Sequence, residues 1–237
     1  MSRVAVIGSY NTSPRDLFHV DLMRYLEAYG CRPSAVVFRT GAEPRSDVPL
    51  NTIHPVGDRS VVQVSRFDDP AAIEAMRRLS ADLFVYAGGR DLLRPGVLEA
   101  ARLGCIGSHY GPLPEIRGMG TVEWSVLNGR PIVVAIQRMA AGVDVGDIVL
   151  QAPVALRPDD TFTTIRDRCY FWAKIMLAVA ARALLSGSTV ATPQRLDEGR
   201  QYYRLHPDVT ALATRKLAVR LQAYGKHPWA FGPGRKR

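Results

Sequence analysis

The sequence predicts an α/β protein: a doubly wound, mostly parallel sheet covered by helices on both faces, with a small C-terminal appendage. Three observations carry this. The apolar runs VAVIGSY, SAVVFRT, DLFVYAGG and CIGSHY are continuous rather than alternating, as expected of strands buried on both faces. Helical patterns with start and stop signals separate them. Strands alternating with helices in this way imply right-handed crossovers and a parallel sheet.

Val4 to Tyr10 reads as the first strand. Pro14 and Asp16 open a helix that runs to about Tyr29, with Phe18, Leu22, Tyr25 and Leu26 on its apolar side and Gly30 as its stop. Ser34 to Thr40 is a second strand. The polar stretch from Gly41 to Asp58 is loop, and Val61 to Val64 is a short strand. Asp69 and Pro70 start a helix. Asp82 to Gly89 is a strand, PGVLEAARLG a helix that stops at Gly104, and CIGSHY the next strand. MGTVEWSVLNG follows as a short helix. Pro131 to Met139 and Asp147 to Leu156 are strands joined by AAGVDVG, a hairpin at the sheet edge. A long helix runs from Asp159 or Asp160 to about Leu185, capped at Gly187, and a basic helical pattern covers Asp208 to Tyr224.

The chain has 237 residues, 47% of them hydrophobic, enough for one substantial core. No apolar run approaches the ~20 residues of a membrane span, and MSRVAVIGSYN lacks the regions of a signal peptide. Three widely spaced cysteines, Cys31, Cys105 and Cys169, make neither a disulfide framework nor a metal motif, so a reducing cytoplasm is the expected compartment. The formal charge of +9 is partly local, with Arg215, Lys216, Arg220, Lys226, Arg235, Lys236 and Arg237 near the C-terminus. Without an RNP-type aromatic motif, zinc-finger spacing or a long basic helix, nucleic-acid binding is the minority reading.

Ligands of such sheets bind outside the carboxyl ends of the strands. Gly8 to Asn11, Gly88 to Asp91 and His109 to Gly111 all fall there. The loop after His109 is bracketed by Gly111, Pro112, Pro114, Gly118 and Gly120. Proline fixes φ and glycine lets backbone approach a ligand, so the loop reads as a shaped rim; an ordinary strand-to-helix connection is the plain alternative. Asp144 sits in GVDVGD between the two edge strands. A carboxylate beside an imidazole orients it and favours its charged form, although a turn aspartate bonded to its own backbone fits the same pattern. His19, His54, His206 and His227 have no metal-ligand spacing, and no metal is expected. Cys105, in mid-strand, reads as buried. GSYNTS lacks the GxGxxG fingerprint. Ser9, Tyr10 and Asn11 after the first strand, with Tyr110, Gly111, Pro112 and Arg117 in the later loop, are the candidate substrate contacts.

Taken in order, His109, GPLPEIRG, EWSVLNG and VDVGDIVLQ resemble the folate-dependent formyltransferase family, which includes methionyl-tRNA formyltransferase, glycinamide ribonucleotide formyltransferase and the sugar N-formyltransferases. The resemblance runs from about Met1 to Thr192 and is densest from Asp82 to Val154. It implies a Rossmann-like catalytic domain over residues 1–190, with residues 191–237 as a C-terminal extension. In the family pattern the strand carries Asn-x-His, and a later aspartate precedes a Gly-Asp-Ile strand start. His109 and Asp144 match. The asparagine position falls on Gly107, and strand alternation turns Ser108 to the opposite face.

The resemblance implies 10-formyltetrahydrofolate as co-substrate, held by backbone groups along Ala87, Gly88, Gly89, Arg90, Asp91 and Leu92. It also implies an amine that attacks the formyl carbon to give a tetrahedral oxyanion. His109, protonated with help from Asp144, stabilises that oxyanion, and Gly107 leaves room on the same face. Asp144, or a water it holds, takes the amine proton. The tRNA enzymes carry a further C-terminal β domain, and the nucleotide enzyme a phosphate-binding glycine loop near its first strand. The shorter chain, QYYRLHP and GSYNTS therefore point to a small-molecule amine, with Arg117 and Arg90 placed to hold a phosphate or carboxylate. A homodimer is left open. So are a different one-carbon, acyl-transfer or hydrolysis reaction on the same scaffold, and a folate-binding homologue without catalysis.

Overall fold

The computed structural model describes residues 3–9, 18–39, 58–88 and 92–226. Five strands, β1 (Val4–Ser9), β2 (Pro33–Arg39), β3 (Ser60–Val64), β4 (Leu83–Tyr86) and β5 (Cys105–His109), pair in parallel. Three-residue strands β6 (Ile116–Gly118) and β9 (Arg200–Tyr202) pair with each other apart from the main sheet. Strands β7 (Val133–Arg138) and β8 (Ile148–Pro153) join antiparallel beyond β5. The main sheet runs β3-β2-β1-β4-β5-β7-β8, so the predicted edge hairpin is β7–β8.

The continuous apolar runs follow from burial on both faces. Alternation along β1 sends Val4 and Val6 into one core and Ala5 and Ile7 into the other. The first core is closed by α1 (Phe18–Ala28) through Leu22 and Leu26. The second is closed by α2 (Pro70–Arg78) and α3 (Pro95–Leu98) through Met76 and Val97. Fully burying each large aliphatic side chain contributes about 1.5–3 kcal/mol. Helix α4 (Thr121–Leu127) follows β6, and the long α5 (Phe162–Leu185) lies on the first core through Ile165, Leu177 and Ala181.

Two local readings change. PGVLEAARLG gives a single α turn, because the N–H groups of Arg102 and Leu103 bond the carbonyls of Ala81 and Asp82 instead of continuing the helical ladder. Residues 191–226 return to the rest of the molecule. Thr192 bridges Ile148, β9 pairs with β6, and α6 (Pro207–Lys226) packs Leu217 and Leu221 into the same core as Val122 and Val126 of α4. Gly118 has φ +96°, and a side chain there would run into the Tyr202 carbonyl, so glycine is what lets β6 and β9 meet. Among the described residues, no helix is long and apolar enough to cross a membrane.

The start of α5 carries a stability prediction. Thr161 caps the helix in a capping box with Thr164. The Asp160 carboxylate, 2% exposed, takes two bonds from Arg168 at 2.6 and 2.9 Å and one from the Arg157 N–H at 2.7 Å. Burial pushes the Asp160 carboxyl up, but these bonds outweigh it and hold it below its ordinary value. Asp160→Asn leaves Arg168 its bond to the Ala155 carbonyl but no counter-charge, and is expected to cost about 3 kcal/mol, read from urea unfolding at neutral pH. A depressed folded value means the contribution is complete above the ordinary aspartate pKa, ~3.9, and is lost as pH falls through the folded one. The gap between wild type and Asp160→Asn should therefore narrow below about pH 4.

Candidate active site

Strand β5 ends in His109, whose side chain is only 5% exposed. Its Nδ1 lies 3.2 Å from Asp144 Oδ2, and its Nε2 lies 2.7 Å from the Ile116 carbonyl oxygen. Carboxylate and carbonyl oxygens only accept, so each contact is a hydrogen bond only when the ring nitrogen facing it carries a proton, and the two together call for a ring that donates from both nitrogens. Gly111 makes this packing possible, since a Cβ there would stand 3.1 Å from His109 Nε2 and from the Ile116 oxygen.

Asp144 sits at φ +52° in the β7–β8 connection, a left-handed conformation that aspartate tolerates better than most residues. Its Oδ2 also accepts the Gly118 N–H at 2.9 Å, and its Oδ1 accepts Gln137 Nε2 at 2.8 Å. Burial raises the Asp144 carboxyl, but the bonds from His109, Gly118 and Gln137, with the charge of His109, bring it below its ordinary value. The side chain is 22% exposed, so the reachable edge of the pair belongs to Asp144 rather than to His109. This corrects the expectation of a histidine facing a ligand: Nε2–H must leave the Ile116 oxygen before it can donate elsewhere.

Two further expectations about this strand meet the structure. Ser108 does face away, with its Oγ 3.3 Å from the Tyr110 hydroxyl. Gly107 does not open a space. A Cβ there would lie 2.9 Å from Met139 Sδ, because the thioether of Met139 fills that side of the strand.

Several candidate contacts are used for structure. Tyr110 turns under α5, edge-on to Tyr170 at 5.0 Å, and burial pushes its hydroxyl pKa up. Arg117 is buried and donates to the Leu196 and Gly199 carbonyls at 3.3 and 3.4 Å, so it anchors the C-terminal segment instead of reaching a substrate. Gly111 and Pro112 are buried beside His109 and do not form an open rim. Ser9 Oγ accepts from Arg39 Nε at 3.4 Å, and its N–H bonds the Gly88 carbonyl at the mouth of β1 and β4. Ala87 and Gly88 lie along that mouth, and Leu92 is an exposed residue further along the chain. Tyr10, Asn11, Gly89, Arg90 and Asp91 fall outside the described residues.

The sequence reading missed Gln137, Gln194 and Met139. Gln137 had a signal, a polar residue inside the apolar run VVAIQRM. Gln194 had none, because it lies in an unpatterned polar segment. Among the described residues, no cluster of His, Cys, Asp and Glu is arranged to hold a metal ion.

A family model for formyl transferases matches residues 34–181, more than half of the chain and including both His109 and Asp144. The chain belongs to the formyl transferase family. Among its relatives, a methionyl-tRNA formyltransferase from Agathobacter rectalis is 28% identical over 172 residues, covering 71% of this chain and 56% of that protein. The chain spans about half the length of the curated relatives it matches. A sugar N-formyltransferase from a Shewanella species shares the fold with a TM-score of 0.65 at 17% identity, over 92% of this chain and 87% of that one. The formyltransferase PseJ from Anoxybacillus kamchatkensis, solved with UDP-4,6-dideoxy-4-formamido-L-AltNAc and tetrahydrofolate, gives 0.56 at 17% identity, over 98% and 93%. The matched stretch contains His109, Asp144 and Gly107, and the face of Gly107 is covered by Met139.

Proposed function

We propose that the chain is an N-formyltransferase, moving a formyl group from 10-formyltetrahydrofolate to the amine of a small molecule: an amino sugar, a nucleotide-linked amino sugar or a related biosynthetic amine. The observation that carries this is the His109–Asp144 pair at the carboxyl ends of β5 and β7–β8, within the stretch matched by the formyl transferase family. The end of β4 suits the co-substrate. Gly88 is at φ +96° with open space where a side chain would stand, and Leu92 is 66% exposed. Exposed backbone at Gly88 fits a flat heterocycle rich in hydrogen-bonding groups.

The co-substrate supplies an activated formyl carbon when bound. This chain supplies the charges around it. Negative charge grows on the formyl oxygen as the amine attacks, and the buried imidazolium of His109 stabilises it across low-dielectric surroundings. The amine loses a proton in the same event. Asp144, kept anionic, is a weak base, so it would orient a water that passes the amine proton on to the departing folate nitrogen as the bond from that nitrogen to the formyl carbon breaks, and tetrahydrofolate leaves neutral. A small acceptor is supported by the near full-length likeness to the Shewanella enzyme and to PseJ, the latter solved with a nucleotide-linked formamido sugar.

One observation favours a second reading. Gly107 at the asparagine position, with Met139 packed over it, offers no amide donor, which suits a different one-carbon, acyl-transfer or hydrolytic reaction on the same scaffold. Incubation with 10-formyltetrahydrofolate and a panel of amines separates the readings. Tetrahydrofolate release with a formyl mass gain on an amino sugar nucleotide is the expected result. Formylation of methionyl-tRNA alone would overturn the acceptor class, and release of formate without an acylated amine would select the second reading.

A further inference from the structure

We infer that Gln137 and Gln194 are positioning residues for Asp144, and that the segment 191–204 is therefore part of the machinery of the site. Gln137, 4% exposed on β7, points its amide nitrogen at Asp144 Oδ1 at 2.8 Å, and its own carbonyl accepts from Gln194 Nε2 at 3.4 Å. Gln194 Nε2 also donates to the Asp144 backbone carbonyl at 3.1 Å and to the Gly146 carbonyl. Carboxylate and backbone of one residue are thus fixed from two directions. Each glutamine has a single orientation that satisfies these contacts. Gln194 turns its NH2 to three acceptors, so one of its two N–H groups is shared between two of them, and this leaves the Gln137 carbonyl turned to it and the Gln137 nitrogen turned to Asp144.

The same segment acts on the pair by a second route. β6 supplies both other partners, the Ile116 carbonyl for His109 Nε2 and the Gly118 N–H for Asp144 Oδ2, and the strand paired with it is β9. Arg117 between them is tied to the Leu196 and Gly199 carbonyls. Residues 192–202 thereby hold the second partner of His109 and both sides of Asp144. The titratable side chain in contact with Asp144 is His109 from β5. Arg117 on β6 is turned to carbonyls, Arg138 alternates to the other face of β7, and the 191–204 segment contributes the neutral Gln194.

The inference rests on the formyl-transfer reading for its catalytic consequence but not for its physical one. The test therefore has an arm that needs no substrate. Asp144 carboxyl and His109 ring resonances are followed by NMR against pH in wild type, Gln137→Leu, Gln137→Glu and Gln194→Ala, with Asp144→Asn for assignment. Loss of the Gln137 donor should move the Asp144 midpoint upward, the added carboxylate of Gln137→Glu should move it further, and Gln194→Ala should move it in the same direction by less. In the transfer assay, Gln137→Leu should lower kcat about tenfold, as loss of one such bond does, with KM little changed and the acid limb of the pH profile moved up. If Gln137→Leu does not fold, Gln194→Ala, on a partly exposed segment, decides. Unchanged Asp144 and His109 titrations in the folded variants would overturn the inference. Moved titrations with no formyl transfer in wild type would leave it standing and remove the transfer reading instead.

Discussion

Asp144→Asn is expected to lower formyl transfer by about three powers of ten while the protein stays folded, about 4 kcal/mol of transition-state stabilisation. The size follows from the contacts of the carboxylate. Oδ2 accepts from His109 Nδ1 and the Gly118 N–H, and Oδ1 accepts from Gln137. An asparagine keeps the shape but replaces one acceptor by an NH2. Placed at Oδ2, that group meets two donors. Placed at Oδ1, it meets the Gln137 amide, whose reversal is opposed by Gln194. The second placement is the less costly, so the residue survives as an acceptor for His109 but without its charge. The imidazolium then loses its counter-ion, and the water beside Asp144 loses the charge that makes it a proton acceptor. Single-turnover rates with thermal melting as a control read the result. Turnover within tenfold of wild type would remove Asp144 from the reaction.

The second large effect concerns Gly107. Asparagine there restores the family pattern on paper, yet its Cβ would stand 2.9 Å from Met139 Sδ and 3.3 Å from its Cγ. Overpacking of this kind costs about 1–3 kcal/mol unless the neighbour moves, and methionine is flexible enough to move in part. Gly107→Asn alone is therefore expected to lose stability and to gain no activity, because Met139 still fills the place the amide must occupy. In Gly107→Asn with Met139→Ala the amide has room. If the missing donor limits formyl transfer, the double variant should be faster than wild type by about 100- to 1,000-fold, the usual worth of one oxyanion donor being ~2.7–4 kcal/mol. A double variant that folds and is slower than wild type would show that Met139 is part of the site for another acceptor or another reaction. The comparison is made on kcat/KM for both chains, with urea midpoints measured in parallel.

The order of strands and helices was legible in the sequence because burial on both faces leaves a local trace. VAVIGSY and DLFVYAGG are apolar without alternation, and no other placement hides both sides of such a run. His109 ends β5 at the edge where such sheets bind ligands, and Asp144 lies in the β7–β8 connection; their places along the chain could be read from local pattern, whereas their approach to 3.2 Å is tertiary. What each side chain does there was not legible. Arg117 looked like a substrate contact because a cation in a glycine-rich loop is usually free, but its partners are carbonyls 79 and 82 residues further on. Tyr110, two residues from Ser108, follows strand parity under α5, which decides its burial. Strands β6 and β9 have three residues each and no period to read, so they exist only as a pair. Gln194 acquires its role solely by returning to Asp144. Local pattern records which faces of an element are buried. Which distant group meets a given polar atom is decided when the C-terminal segment closes on the loop after β5, and that closure gives His109 and Asp144 their remaining partners.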